Sequence, residues 1–399
     1  MNVPELVAPA GNLEKLKLAI LYGADAVYLG GKNFSLRSAA DNFSQEEMIE
    51  AINFAHARGK KAYVVLNSFL HDKEIENLAP FVHFLEEIKV DGVIASDFGV
   101  VSVVKKATQV SNHLPIHLST QASCLNLEAA FFWKEQGVKR IVLGREVSLK
   151  EAKKIKEGTG LEIEMFIHGA MCMSYSGHCV MSTYTHDRDS NRGGCAHNCR
   201  FLYELSNSQN EKKQAFFYSS KDLMALPLIE EYQKAGIDAL KIEGRMKGHH
   251  YLGTITKTYA TCLKLLAQQG FLSAEQIHSA LLELNKVTHR DYSLGSLVDP
   301  AEKDSVYEGR EHEKNEHIVC GVILEVKNEF MLVEVKASFE VGDAMELIPF
   351  DESNILFSCP PLHNMAGLPL HRTKPGSLIR MEKMGNAQKF NLLRRRIAL

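Results

Sequence analysis

The sequence predicts an α/β chain: a TIM-type (β/α)8 barrel carrying a cysteine-bearing insertion, followed by a small all-β barrel domain. Three observations predict it. Eight short apolar runs alternate with amphipathic segments over roughly the first 245 residues, the pattern of parallel strands joined by crossover helices. About 75 residues separate the last two runs, far more than an ordinary βα connection. From about residue 315 the pattern changes to β alternation.

The eight runs are Leu6–Ala8, Ala26–Leu29, Ala62–Leu66, Gly92–Ala95, Ile116–Leu118, Arg140–Leu143, Ile163–Ile167 and Ala239–Ile242. Eight parallel strands favour closure, because closing the sheet removes both edges. An open doubly wound sheet is the competitor. It would carry a G-x-G-x-x-G after its first strand, but that turn reads Pro9-Ala10-Gly11-Asn12. Between the runs, Ser44 with Glu47 forms a capping box, and Met48, Ile52 and Ala55 share one helical face before Gly59. Ser148 with Glu151 and Ser273 with Gln276 repeat the capping signal.

In the second part, His317–Ile323, Phe330–Val335, Ala344–Ile348 and Ser377–Ile379 read as strands, with turns at Val341-Gly342-Asp343 and Pro375-Gly376. The expected organisation is a barrel over 1–298 with the insertion at about 169–220, a polar linker over 299–315, and the β domain over 316–399.

Composition bounds the function. The 399 residues carry 46 Lys+Arg against 49 Asp+Glu, a formal net charge of -3, so a globally basic nucleic-acid binder is excluded while a local basic patch is not. No apolar run approaches the roughly 20 residues of a membrane span, and Met1–Leu6 has neither basic nor apolar signal-peptide regions. A cytoplasmic protein is expected, where a disulfide framework is improbable. Cys124, Cys262, Cys320 and Cys359 are scattered and read as small buried apolar residues.

Cys172, Cys179, Cys195 and Cys199 are different. They fall in one short window as C-x6-C-x15-C-x3-C, together with Gly177, Gly193, Gly194, His178, His186 and His197. Thiolates bind soft metals, so an iron–sulfur cluster or zinc is expected. Zinc ribbons use paired close knuckles, and only Cys195 and Cys199 make one. A catalytic thiol beside a histidine, or four plain buried cysteines, are the alternatives.

The run Glu164–Cys172 (EMFIHGAMC), continued by Ser176-Gly177-His178-Cys179-Val180-Met181-Ser182, resembles the signature of peptidase family U32, the collagenase-like proteins. Leu6–Gly11, His117–Gln121, Asn191–Cys195 with Cys199-Arg200, and Lys241–Lys247 are similar to the same family. The resemblance runs from residue 5 to about 300, and more loosely beyond. It implies an oxygen-inserting protein that holds a 4Fe–4S cluster on cysteines of this region. Members of this kind hydroxylate tRNA wobble uridine to 5-hydroxyuridine or act on ribosomal RNA, and depend on prephenate. A pair acting in ubiquinone synthesis is shorter and matches only the first domain. Much of the family has a further cysteine after Lys-Asp-Leu, where this chain has Met224 after Lys221-Asp222-Leu223. The expected ligand set is therefore Cys172, Cys179, Cys195 and Cys199.

Barrel strand ends point into the site. Here they carry Ser119, Gln121, Arg145, Glu146, His168, Glu243 and Arg245. Prephenate is a dicarboxylate and arginine forks bind carboxylates, so Arg145 and Arg245 are candidate anion clamps, with Ser119 and Gln121 beside them. His168, Glu146 and Glu243 are the candidate proton-moving groups. The plainer alternatives are rim salt bridges for the arginines and a structurally satisfied histidine. Asn67 and Asp97 are weaker candidates of the same type. For RNA, Arg188, Arg192, Arg200, Lys241, Arg245, Lys247 and Arg394-Arg395-Arg396 are candidate phosphate contacts, and Tyr184, Phe201 and Tyr203 candidate stacking rings. Core packing of the rings and a solvated tail for the last arginines are the simpler readings. The expectation is prephenate-dependent tRNA hydroxylation. A collagenase-like peptidase and a non-enzymatic metal-stabilised RNA-binding module are the alternatives.

Overall fold

The computed structural model describes residues 3–36, 41–109, 114–302, 305–307 and 316–397. Most of the expected linker, 303–304 and 308–315, lies outside the described residues.

Eight parallel strands close a barrel: β1 (Glu5–Pro9), β2 (Ala26–Leu29), β3 (Lys61–Leu66), β4 (Gly92–Ala95), β5 (Ile116–Leu118), β6 (Arg140–Val142), β7 (Glu162–Ala170) and, after an interruption, β11 (Ala239–Ile242). Each neighbouring pair is parallel, and β11 pairs with both β1 and β7, which shuts the ring. All eight expected runs are the eight barrel strands. The interruption holds the hairpin β8 (Tyr203–Ser206) and β9 (Lys212–Ala215), then β10 (Asp222–Met224), antiparallel to the end of β7 and continued by the two-residue β12 (Tyr292–Ser293).

Strand alternation sorts the side chains. Val7, Ala26, Tyr28, Tyr63, Val65, Ile94 and Ala239 form a separate cluster, as expected of inward-facing positions. Their sequence neighbours Leu6, Ala8, Val27, Leu29, Ala62, Val64 and Leu66 belong to the larger core that includes the helices. The three capping boxes form as the sequence predicts, each contributing about 1 kcal/mol. In the helix Gln45–His56, Met48, Ile52 and Ala55 are buried as expected.

An ion network occupies the lower interior. Glu164 is fully buried and meets Lys241 at 2.5 Å and Arg140 at 3.2 Å. Arg140 also reaches Glu5 at 2.8 Å and Glu162 at 2.7 Å. Burial opposes the Glu164 charge, yet Lys241 and Arg140 hold its carboxyl below the usual range. Lys241 is therefore a barrel-core residue, not a surface phosphate contact.

The expected β domain is one curled antiparallel sheet, a half-barrel of β13 (His317–Val326), β14 (Phe330–Val335), β15 (Ala344–Ile348), β16 (Ile355–Ser358), β17 (Leu362–His363), β18 (Pro369–Leu370), β19 (Leu378–Glu382) and β20 (Leu392–Arg396), in the order 16-15-20-13-14-19-17-18. It has its own core, which includes Cys320, Ile323, Val333, Leu347 and Ile379. Val319, Val322, Ile348 and Leu392 instead join the barrel core. Tyr22 locks the seam: its hydroxyl donates to the Ile348 carbonyl at 2.8 Å and accepts from the Leu392 N–H at 3.0 Å.

Of the last arginines, Arg396 is solvent-exposed as the simpler reading expects, whereas Arg394 and Arg395 are not a solvated tail. Arg394 is fully buried, 2.8 Å from Glu283 and also bonded to Glu346. Arg395 donates to the Ser338 carbonyl at 3.1 Å, and Arg396 pairs with Glu316. Burial would raise the Glu283 carboxyl, but Arg394 and Lys286 pull it down to about 2. A depressed carboxylate contributes stability that is present above its unfolded value and lost as pH falls through the folded one. Arg394→Met should lower stability by about 3 kcal/mol, because it takes the buried guanidinium away from two carboxylates and leaves them only Lys286. Urea unfolding at pH 7 and pH 3 checks this: the difference between variant and wild type should shrink at the lower pH, as Glu283 and Glu346 protonate more readily in the variant.

Candidate functional site

At the C-terminal mouth of the barrel a cavity of about 70 Å³ is lined by Ser119, Gln121, Arg145, Glu243 and Arg245, together with Asn67, Tyr28, Phe166 and Lys241. Five of the expected site residues thus converge. This volume is room for several water molecules, and guanidinium groups dominate its charge. Arg145 lies over the Phe166 ring at 3.9 Å, and its Nε is buried without a hydrogen-bond partner among the described residues. Gln121 Oε1 and Thr120 Oγ1 are likewise buried and unpartnered. Arg245 donates to Asn42 Oδ1, and Gly30 makes room for it: a Cβ there would stand 2.4 Å from Nη2.

The insertion folds onto this mouth. Ser176, in the middle of the Cys172–Cys179 loop, is buried. Its N–H donates to Glu146 Oε1 at 2.9 Å, its hydroxyl bonds Glu146 Oε2, and its carbonyl accepts from Ser123 at 2.8 Å. Glu146 therefore serves the cysteine loop instead of pairing with Arg145. Gly177 adopts φ +103°, and a Cβ there would meet Gln121 Oε1 at 2.0 Å, so the loop passes directly over the cavity wall. Asn191 donates to the Cys179 carbonyl at 3.0 Å and accepts from its N–H at 3.3 Å. Arg192 donates to the Phe69 carbonyl at 2.6 Å and pairs with Glu74. Arg200 donates to the carbonyls of Met171 at 2.7 Å and Ser220 at 2.9 Å. Arg192 and Arg200 thus staple the insertion instead of facing solvent.

Cys172 is exposed, and Cys179, Cys195 and Cys199 are half-buried. The four belong to one electrostatic neighbourhood. Burial pushes the Cys199 thiol up, Arg200 pulls it down, and Cys172, Cys195 and Cys179 push it up further. Burial also opposes the Cys179 thiolate, but Ser174, the Met181 N–H and Ser190, whose hydroxyl has no other partner among the described residues, leave its pKa below the ordinary thiol value. Among the described residues no group of three or more His, Cys, Asp or Glu side chains is arranged to hold a metal ion. The thiols sense one another without closing on a single point. The other four cysteines are buried, and burial pushes the thiols of Cys124 up to about 11 and of Cys262, Cys320 and Cys359 up to about 12.

His168 lies elsewhere. Beyond the register shift opposite Lys241 and Ile242, the end of β7 pairs with β10, and the inward alternation stops there. The imidazole is buried among Tyr251, Tyr259 and Tyr292, with Nδ1 3.2 Å from the Tyr259 hydroxyl on the helix His249–Gln269. Met224 faces His168 in register and packs against the barrel core. Asp97 caps the helix Phe98–Ala107 through the Gly99 and Val100 N–H groups. Of the candidate stacking rings, Tyr184 is 85% exposed and Phe201 44%, so neither is a core residue; Tyr203 packs edge-on to Tyr218. Met173, Tyr175, Val180 and Leu202 are exposed on the same insertion. The sequence reading missed Ser176, although the residue stands inside the quoted motif, because only tertiary contact gives it partners.

The family described as Peptidase family U32 matches residues 11–306. The chain belongs to peptidase family U32. It is 38% identical over 355 residues to tRNA hydroxylation protein P1 of Bacillus subtilis (strain 168), covering 86% of this chain and 83% of that one. It is 36% identical over 267 residues to the 23S rRNA 5-hydroxycytidine C2501 synthase of Escherichia coli (strain K12), covering 66% of this chain and 40% of that one. It is 31% identical over 282 residues to a Collagenase of Porphyromonas gingivalis (strain ATCC BAA-308 / W83), covering 66% and 67%.

Burial holds the His168 imidazole down to about 3, with His289 and Lys247 adding to the effect. The ring should stay neutral throughout the physiological range. Its ring-proton NMR signal should show no titration between pH 5 and pH 8.

Proposed function

We propose that this U32 protein is an RNA-hydroxylating enzyme acting on tRNA wobble uridine, with a 4Fe–4S cluster on Cys172, Cys179, Cys195 and Cys199 and prephenate as co-substrate. One observation carries the proposal: the four thiols stand in one neighbourhood on a loop system docked against an arginine-lined cavity. The relative named for tRNA hydroxylation matches most of both chains, whereas the one named Collagenase matches about two thirds of each. The mouth serines are engaged with Glu146, Gln121 and backbone groups rather than with a histidine base, which lends the peptidase reading no support.

The donor set fits the group. Four thiolates suit iron–sulfur centres, and thiolates that each bind a different metal atom stand further apart than the roughly 3.8 Å of two thiolates on one zinc. When bound, the cluster supplies one-electron redox chemistry. The protein's own residues do the rest. Arg145 and Arg245 neutralise the carboxylates of a small dianion, and Gln121 and Ser119 orient it. Tyr184 and Phe201 present faces on which an unstacked base can lie. Glu243, on the cavity wall, is the carboxylate placed to accept a proton. No helix among the described residues is long and apolar enough to cross a membrane.

Anaerobic purification followed by iron and sulfide counts tests the cluster: iron and sulfide in equal amounts support it, and zinc or no metal refutes it. Arg145→Ala should raise the prephenate requirement for 5-hydroxyuridine formation at least about tenfold, through loss of a charge-assisted bond. Tyr184→Ala should raise KM for tRNA several-fold with little change in kcat. Liquid chromatography–mass spectrometry of digested tRNA reads both effects.

A further inference from the structure

We propose that Ser176, gripped by Glu146, is the positioning residue of the metal centre: it fixes the six-residue spacer between Cys172 and Cys179, so that part of the ordering metal binding needs in this loop is already made. The inference rests on the reading that these cysteines hold a metal. It assigns Glu146 to holding this loop, where its place at a strand end made it a candidate for proton transfer.

The geometry is specific. Ser176 stands three residues before Cys179 and four after Cys172. A free spacer of this length would lose roughly 1–2 kcal/mol of backbone entropy per residue on ordering. Here that ordering comes from the barrel. The Ser176 N–H, hydroxyl and carbonyl are all engaged, by Glu146, by the Arg145 N–H at 3.1 Å and by Ser123. These partners follow β5 and β6 directly. Both Glu146 carboxylate oxygens are bonded to Ser176. The adjacent Gly177 passes so close to Gln121 that no side chain would fit. Asn191 grips the far end by pairing with both backbone groups of Cys179. Arg145 belongs to both systems: its N–H holds the pin while its guanidinium lines the cavity.

The test uses the full chain purified without oxygen. Wild type, Glu146→Ala, Ser176→Ala and Glu146→Gln are exposed to excess iron chelator, and the loss of visible absorbance is timed. Glu146→Ala and Ser176→Ala should lose the chromophore about tenfold faster or more, the usual scale for groups that orient metal ligands. Glu146→Gln should stay close to wild type, because its amide oxygen can still accept the Ser176 N–H. The urea midpoints of the metal-free forms should remain close together, since the pin acts on a loop outside the core. Unchanged chelator resistance in folded Glu146→Ala overturns the proposal. So does a metal-free stability loss that accounts for the whole change. A wild-type protein that binds no metal overturns the underlying reading instead, and the two failures are distinct.

Discussion

Hydrogen bonding between β7 and β11 closes the barrel, although residues 171–238 lie between the two strands. Because parallel neighbours must start at the same end of the barrel, the intervening chain has to leave at the C-terminal mouth and return to the bottom. The buried Glu164–Lys241 pair links the same two strands inside the barrel. Ion pairs of this kind add little net stability against apolar packing, but breaking one is costly, so the pair disfavours other registers. The cysteine insertion lies over the cavity because this closure leaves it little other place to go.

The insertion has little apolar core of its own. Short turns, a brief hairpin and polar staples hold it: Glu146 on Ser176, Asn191 on Cys179, Arg192 on Glu74 and Arg200 on two carbonyls. Such bonds contribute directional order more than bulk stability. The large side chains Tyr184, Phe201, Met173 and Tyr175 remain exposed there. The insertion has no core to receive them.

The half-barrel and the barrel share a buried seam. Tyr22 and Arg394 each bridge the seam with buried polar contacts, and four half-barrel side chains complete the barrel's core. The shared interface also makes the orientation of the two parts a property of the fold and not of the linker.

Much of the fold was legible in the residues. All eight barrel strands, three capping boxes and four half-barrel strands follow from local period and capping chemistry, because those signals act over a few residues. The cysteine spacing and the strand-end positions of Ser119, Gln121, Arg145, Glu243 and Arg245 were equally readable, since barrel strands deliver their ends to one face. What the sequence could not show was direction and partnership. His168 stands on the expected strand, but a register shift beside it leaves it among tyrosines. Lys241 and Arg394 read as free cations until folding brings Glu164, Glu283 and Glu346 to them from far along the chain. Glu146 read as a candidate acid, and only the docked loop shows that both its oxygens are occupied. Side-chain function depends on partners distant in sequence, and only the closed barrel brings those partners together.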